Sequence, residues 1–571
     1  MLNDNLQDIT SNFDGHKSVF FRDSLRIIKP LNLEIIKKFF LINLFSIVFI
    51  LLKFCLSYKF FFSNFIYINI FSKNIDLISL FGDKANYFKY GYFMLFSFAI
   101  YDMVIIYFKI SLKIKNKEKE NKKEFDLPSV SFEGDVKKVK ITSKGLYQNI
   151  LITGSIGSGK TSCAVSSILQ ELLLSSTYGL IIDIKGNYIK IVKEIARIQN
   201  LEDKIVEISL ESDFGYNPLM SEISTFEMAN RLKQVLLILS GKNMSDSYWL
   251  DKAESYMRDL LTIIKGYTNS INFKELHMLV TSKEYLYEKL GVLKEKILSN
   301  KYSESDLFEL NSAMLNIKNE FLKLDERTSS IIKSEITRIT SIFVSDSNIY
   351  NKFCNSNEKV NFKKDKIYIL SLDVGKNNHL AKIISTYLKL EFQSQILSQT
   401  MYIKPIFFIC DEYQEIANEQ DAHFFSLSRE YKCINVVSMQ SYTSLMNSLQ
   451  NENASNVIIQ NFVNKIWFRC DDLHTISQII KQIGKEIKKY ETINYSENSQ
   501  DSKYNIFLKN FKNYKSGLSK SISLSNKIDY KITEDYFSSK LKTFEATMLV
   551  SNGESIEIVD KIRLKRWDEY N

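Results

Sequence analysis

One stretch of the sequence combines glycines, a lysine and a threonine at a spacing that can wrap a phosphate chain. It reads GSIGSGKT, fits the full pattern GxxxxGKT, follows the apolar run NILIT and precedes the helical pattern TSCAVSSILQELLL. Such a phosphate-binding loop (P-loop) turns backbone amides toward an anion, while its lysine reaches the terminal phosphates and its threonine binds magnesium. The residues predicted to bind ATP and Mg²⁺ are Gly154, Ser155, Ile156, Gly157, Ser158, Gly159, Lys160, Thr161 and Ser162.

Two carboxylates at the end of another apolar run supply the acidic groups that a P-loop needs. The run PIFFIC is followed by Asp411 and Glu412. We expect Asp411 to hold the magnesium ion, largely through water, and Glu412 to be the base that orients the attacking water. The alternative is an exposed carboxylate pair at a turn, which is common where strands end.

Three more candidates flank strand-like runs. Gln440 follows the run INVVSM, at an edge of the sheet where a neutral amide can sense a terminal phosphate. Arg429 precedes that run and would serve a neighbouring subunit as an arginine finger, because phosphoryl transfer builds up negative charge; the alternative is a surface arginine. Asp183 ends the run YGLIID, and the pattern leaves open whether it supports the site or caps a turn.

The elements that would position these residues form an alternating pattern. Short apolar runs are separated by helical patterns, which predicts a largely parallel sheet covered on both faces, in the α/β class. Residues 221–345 are nearly free of glycine and proline and carry apolar residues at three-to-four spacing, so we expect an all-helical insertion. Residues 490–525 are polar with little sustained periodicity, which predicts a mobile insertion.

Two apolar runs near the amino terminus are long enough to cross a bilayer. Residues 39–58 contain one charge, Lys53, and residues 90–108 contain one, Asp102, which marks a helix contact, a functional site or a position near water. Lysines flank the pair on its outer sides, and the positive-inside rule then places both ends in the cytoplasm. A cleaved signal peptide fits poorly, because the first run starts late and lacks a small-residue cleavage site.

Composition restricts the function classes only weakly. Lys and Arg number 75 against 66 Asp and Glu, a formal charge of +9 that suits nucleic acid or anionic lipid but requires neither. The six cysteines are scattered, with no CxxC pair, which argues against a zinc site or a disulfide framework. We therefore expect buried cysteines in a reducing compartment.

The order of the motifs resembles that of the TraG/TraD family of type IV secretion coupling proteins. The matching stretches are GSIGSGKT, IIDIKGN, FGYNPL, the helical block DSYWLDKAESYMRDLL, FFICDEYQEIA and VVSMQS, which together cover residues 154–441. The resemblance implies a RecA-like motor, an all-α domain that helps choose cargo, and a homo-hexameric ring at the bacterial inner membrane. It also implies partnership with type IV secretion channel proteins, membrane lipid and single-stranded DNA carrying a relaxase, with protein cargo as an alternative.

The resemblance also assigns roles to individual residues. It makes Lys160 and Thr161 the Walker A pair, Asp411 and Glu412 the Walker B pair, Arg429 the finger acting on a neighbour, and Gln440 the phosphate sensor. The strand before the acidic pair departs from the family in carrying Cys410. Two other classes stay open: a DNA translocase of the FtsK/HerA type, which would lack the large helical insertion, and a docking receptor that binds ATP without hydrolysing it.

The expected architecture is a RecA-like P-loop NTPase domain with an inserted all-α domain, preceded by a two-helix transmembrane hairpin. The bulk of the chain is expected in the cytoplasm, on a multi-pass inner-membrane anchor. The predicted parts are a cytoplasmic N-terminal segment (1–38), the transmembrane hairpin (39–110), a charged linker (111–128), the nucleotide-binding domain (129–220 and 346–571) and the all-α insertion (221–345).

Overall fold

The structure is a computed structural model. It describes residues 128–134, 138–240, 247–268, 270–299, 302–399, 404–498, 504–505, 510–511 and 517–569. The predicted N-terminal segment, the two predicted membrane spans and all of the predicted linker but its last residue lie outside the described residues. None of the described helices is long and apolar enough to cross a bilayer.

The strands include nine in one central sheet. In chain order they are β1 (Val130–Glu133), β2 (Lys138–Ile141), β3 (Ile150–Thr153), β4 (Tyr178–Asp183), β5 (Ile205–Ile208), β6 (Ile367–Ser371), β7 (Ile406–Asp411), β8 (Cys433–Met439), β9 (Asn464–Phe468), β10 (Lys485–Asn498), β11 (Tyr504–Asn505), β12 (Asn510–Phe511), β13 (Gly517–Tyr530), β14 (Glu545–Ser551) and β15 (Ile556–Arg563).

The helices lie between these strands. They are α1 (Ser143–Leu146), α2 (Ser166–Leu174), α3 (Ile189–Ile198), α4 (Thr225–Ser240), α5 (Ser247–Tyr267), α6 (Phe273–Thr281), α7 (Lys283–Leu298), α8 (Glu304–Asn319), α9 (Glu326–Thr340), α10 (Ile342–Ser345), α11 (Ser347–Phe353), α12 (Val374–Leu397), α13 (Asp421–Leu427), α14 (Tyr442–Leu449), α15 (Glu452–Gln460) and α16 (Leu473–Ile483).

The central sheet runs in the order β15-β14-β9-β3-β8-β7-β4-β6-β5. The seven strands from β9 to β5 are mutually parallel, while β14 and β15 close one side in antiparallel pairing. Every residue of β3, β6, β7 and β8 is buried, as expected for apolar strands covered on both faces. The predicted α/β class is confirmed.

The order of the inner strands positions the chemistry. Strand β8 lies between β3 and β7, and β4 lies on the far side of β7. Because these four strands are parallel, their carboxyl ends meet at one edge of the sheet, and the segments that follow them can form a common crevice.

A block of eight helices, α4 to α11, stands between β5 and β6, and the described residues of this block contain no strand. Its helices bury apolar residues at helical spacing, for example Ile332, Ile336 and Ile339 on α9. Side-chain caps fix several helix starts: Ser282 accepts from the Tyr285 amide at the start of α7. The four described cysteines of the sheet region, together with Cys354 next to this block, are buried free thiols.

The polar stretch predicted as a mobile insertion, 490–525, contains paired strands among its described residues, and its mobility stays a prediction. Strands β10 and β13 pair antiparallel along their whole lengths, from Lys485 opposite Tyr530 to Asn498 opposite Gly517. We call this pair the ribbon. Strand β13 carries a two-residue alternation, in which Ile522, Leu524 and Ile528 lie on one face and serines predominate between them.

Candidate nucleotide-binding site

The P-loop joins the end of β3 to a helical turn that begins at Lys160 and continues into α2. Lys160 is 6% exposed, and its Nζ donates to the carbonyl oxygens of Gly154 at 2.7 Å and Ser155 at 3.2 Å. Burial lowers the pKa of Lys160, while Glu412 and Asp411 oppose that shift. The lysine therefore lies over the loop, near two carboxylates, where a phosphate chain would be neutralised.

Asp411, the predicted metal ligand at the end of β7, contacts the P-loop. The Thr161 hydroxyl donates to Asp411 Oδ2 at 2.9 Å, and the Ser438 hydroxyl of β8 donates to Asp411 Oδ1. A hydroxyl and a carboxylate held this close are oxygen ligands of the kind that Mg²⁺ prefers. This contact brings the two halves of the predicted metal site together.

Glu412 lies at the centre of a group of polar side chains. Its Oε2 accepts from Gln414 at 2.6 Å and from Gln440 at 3.2 Å, and its Oε1 forms an ion pair with Lys185. Burial raises the pKa of Glu412, but the bonds from Lys185 and Gln414 outweigh it and bring the pKa below its usual value. Its backbone is left-handed, with φ of 54°, a strained conformation often found at functional residues.

Asp183 caps the turn after β4. Its Oδ1 accepts from the Gly186 amide at 3.0 Å, and its Oδ2 accepts from the amides of Tyr188 at 2.8 Å and Ile189 at 3.1 Å. These bonds start helix α3 and fix the turn that carries Lys185. Of the two roles left open by the sequence, capping is the one with direct contacts.

A known family model covers most of the described chain. Residues 135–524, more than half of the chain, match the model of the type IV secretion-system coupling protein DNA-binding domain. The chain belongs to this family. Among curated proteins, no sequence matches the coupling protein significantly.

Solved structures resemble the coupling protein in fold. The unbound monoclinic form of the bacterial conjugative coupling protein TrwBdeltaN70 is 12% identical, with a TM-score of 0.52 over 75% of this chain and 87% of that chain. Its trigonal form with sulphate gives 12% identity and a TM-score of 0.53 over the same shares. TrwB with the GTP analogue GDPNP gives 13% and 0.50, over 75% and 88%.

Arg429 is the one predicted site residue that the coupling protein does not bring to its own P-loop. It is exposed and lies just before the amino-terminal end of β8, whereas Gln440 follows the carboxyl-terminal end. A strand of seven residues separates the two, a distance of about 20 Å. Within one chain Arg429 and the phosphate crevice are on opposite edges of the sheet.

Several residues of the site had no predicted role. Lys185 stood in a quoted motif, IIDIKGN, without a function, and Gln414 and Ser438 were not singled out. Their contacts depend on which strands are neighbours, and the sequence does not specify this. For Lys185 the sequence does offer a signal, because this lysine lies two residues beyond the strand-end Asp183.

Phe544 supports the P-loop from outside. Its amide donates to the Ser158 carbonyl at 3.0 Å, and its own carbonyl accepts from the Leu564 amide at 2.8 Å. A Cβ on Gly159 would lie 2.7 Å from the Phe544 ring, so that ring closes the space beside the loop. Phe544 has φ of 69°, which is unusual for a bulky residue.

The first residues of the P-loop are also held from the β9 side. The Ser155 amide donates to the Arg469 carbonyl at 2.8 Å, and the Ser155 hydroxyl donates to Asp471 at 3.1 Å. The loop is therefore fixed at Ser155 and at Ser158, on both sides of the exposed residues Ile156 and Gly157. Such a preformed loop needs little reordering to bind phosphate.

Proposed function

We propose that this coupling protein is a membrane-anchored ATPase that recruits DNA, or protein cargo, and drives its transfer through a type IV secretion channel. The observation that carries the proposal is the hydrogen bond between Thr161 and Asp411, which joins a full P-loop to an acidic strand end. This spacing lets one Mg²⁺ ion be shared by both residues, and that ion would supply charge neutralisation for the phosphates.

Each residue of the crevice has a proposed task. Lys160 binds the terminal phosphates, and Thr161 and Asp411 hold the metal, Asp411 largely through water. Glu412 accepts a proton from the attacking water and orients it. Gln440, in contact with Glu412, lies where its amide can respond to the terminal phosphate.

Arg429 would complete the site of a neighbouring subunit. Its place at the opposite edge of the sheet suits a cation presented outward, to the phosphates of the next RecA-like domain in a ring. A closed homo-hexamer would repeat this contact head-to-tail at every interface. Single-subunit turnover would then be weak.

The proposed surroundings follow from the family and the amino-terminal sequence. The apolar runs 39–58 and 90–108 would anchor the chain in the inner membrane, with the motor in the cytoplasm. The proposed cargo is single-stranded DNA with its relaxase. The all-α insertion, 221–345, would help to select it.

ATP hydrolysis by the full chain in detergent or lipid nanodiscs tests the proposal. We expect turnover that rises with single-stranded DNA, rises more than linearly with protein concentration, and disappears in Lys160→Ala. Arg429→Ala should lose the concentration-dependent part but keep ATP binding. ATP binding without any hydrolysis would show instead a docking receptor. Full activity in Arg429→Ala would contradict the role of Arg429 as an arginine finger.

A further inference from the structure

We propose that Lys185 is a positioning residue that occupies Glu412 in the resting site and keeps it from the attacking water. The inference rests on the proposed ATPase function and adds to it a device that limits hydrolysis when no cargo is present. We call the contact between Lys185 and Glu412 the latch.

The sheet fixes the two ends of the latch. Strands β4 and β7 are parallel neighbours with Asp183 opposite Asp411. Lys185 lies two residues beyond Asp183, and Glu412 lies one residue beyond Asp411, so both follow adjacent strand ends at the same edge of the sheet. Asp183 holds the Lys185 turn through three backbone amides, and Gly186 follows with φ of 70°.

The latch competes with the water for the same carboxylate. A carboxylate has about four lone-pair positions, and three are taken here, one by Lys185 and two by Gln414 and Gln440. A general base must offer a lone pair to water in the correct direction. As long as all three donors remain, about one position is left for water, and protein groups set the direction of the carboxylate.

The exposures of the two partners indicate which one moves. The Glu412 side chain is 4% exposed, whereas the Lys185 side chain is 45% exposed. The buried carboxylate is held by the sheet edge and by the strained backbone of Glu412, while the lysine can swing outward into water. Opening the latch therefore requires only a change of the Lys185 rotamer.

A phosphate backbone is the ligand that fits an exposed ammonium at this edge. Nucleic acid gains affinity by pairing its phosphates with lysines. A DNA strand that reaches the carboxyl edge of the sheet would therefore draw Lys185 away from Glu412. Cargo binding would in this way release the base and raise turnover.

The test is ATP turnover of the full chain, with and without a mixed-sequence single-stranded oligonucleotide. In Lys185→Met, which keeps length but removes charge, we expect turnover without DNA to rise about fivefold, with KM for ATP unchanged. The oligonucleotide should then add little further stimulation. Lys185→Arg should restore low turnover without DNA, and Lys190→Met, an exposed lysine on α3, serves as the matched control.

Each other outcome decides against the latch or for it. Equal loss of turnover with and without DNA in Lys185→Met would show that the lysine supports hydrolysis. Unchanged turnover would show that the lysine neither supports nor restrains hydrolysis. Either result would contradict the latch and leave the proposed ATPase function standing. Turnover seen in Lys185→Met but absent from the unaltered chain would support the latch. Absence of ATP turnover in both Lys185→Met and the unaltered chain would contradict the latch together with the proposed ATPase function.

Discussion

The nucleotide edge of the central sheet and the ribbon are both built from strands, yet they differ in what surrounds them. Strands β7 and β8 have a neighbour on each side and are buried throughout. Among the described residues the ribbon strands pair only with each other, and Leu524 and Ile528 are 76% and 72% exposed. A strand with two neighbours has its register fixed by hydrogen bonds on both sides, whereas an isolated two-stranded pair has only marginal stability in water.

This difference explains where the chemistry lies. The sheet fixes the positions of residues at and beyond the ends of its inner strands. Thr161 therefore contacts Asp411, and Gln440 contacts the adjacent Glu412, although these residues are far apart in sequence. The ribbon is closed at its base by a bond from the Lys531 amide to the Gly484 carbonyl at 3.1 Å. Changes at the sheet edge should therefore alter turnover, and matched changes in the ribbon should not.

The largest expected effect comes from Glu412→Gln. The amide keeps the shape of the side chain but cannot accept a proton, so turnover should fall at least about 100-fold while ATP still binds. Turnover measured beside binding of a fluorescent ATP analogue checks this. Asp529→Asn in the ribbon, where the carboxylate accepts from the Tyr490 hydroxyl at 2.6 Å, is the control and should retain full turnover. If Asp529→Asn lost turnover while Glu412→Gln kept it, the ribbon and not the sheet edge would carry the chemistry.

Two glycines with positive φ give the next test. Gly159 has φ of 109° and would place a Cβ 2.7 Å from the Phe544 ring, whereas Gly484 has φ of 92° and no atom within 4 Å of its added Cβ. Gly159→Ala therefore combines strain with a collision at the P-loop, and we expect ATP affinity to fall about tenfold or more. Gly484→Ala should only lower the unfolding temperature. Equal ATP affinity in the two variants would contradict this role of Phe544.

The free energy of unfolding of two lysine variants, one in the central sheet and one in the ribbon, compares the two regions. Lys465 of β9 is 4% exposed, its Nζ donates to the Phe462 carbonyl, and burial lowers its pKa to about 8. Lys465→Met should raise the free energy of unfolding at pH 7 by about 1–3 kcal/mol, because a costly buried charge is removed. Lys489→Met in the ribbon, at an exposed position, should change it little.

The pH dependence of the Lys465 effect has a definite sign. Between the folded pKa of about 8 and the ordinary value of 10.5, the unfolded chain binds more protons than the folded one. The unaltered protein should therefore gain stability as pH rises through this window, and its difference from Lys465→Met should shrink. Denaturant unfolding at pH 7 and pH 10 measures both values, and a difference that grows with pH would refute the account.

The smallest effect is expected from removing the ribbon. Replacing residues 486–529 by a short Gly-Ser turn deletes no strand of the central sheet, and it keeps Tyr530, which packs on a small core cluster. The unfolding temperature should change by less than about 4 °C, and turnover without DNA should persist. Calorimetry and the ATPase assay check this. Failure of the shortened protein to fold would mean that the ribbon stabilises the sheet.

The sequence predicted those parts of the site that depend on local pattern. The P-loop has a full motif, and Asp411 and Gln440 stand at the ends of apolar runs whose carboxyl ends must share an edge in a parallel sheet. The α/β class followed from the same runs. These inferences need only the order of residues along one strand and the helix beside it.

The sequence did not predict contacts that depend on strand order. Lys185 meets Glu412 only because β4 lies beside β7, and Phe544 meets Ser158 only because β14 closes the sheet beside β9. The ribbon was missed for a different reason, since serines between its apolar residues lowered the average hydrophobicity and hid the alternation.

The contact between Phe544 and the P-loop also has a consequence for biosynthesis. Ribosomes make the loop early and Phe544 much later, so a nascent chain exposes GSIGSGKT before the residue that supports it exists. Pairing between such distant segments is slow, because a long loop must close first. Half-made subunits should therefore bind nucleotide poorly, which would spare the cell from wasteful turnover by incomplete chains.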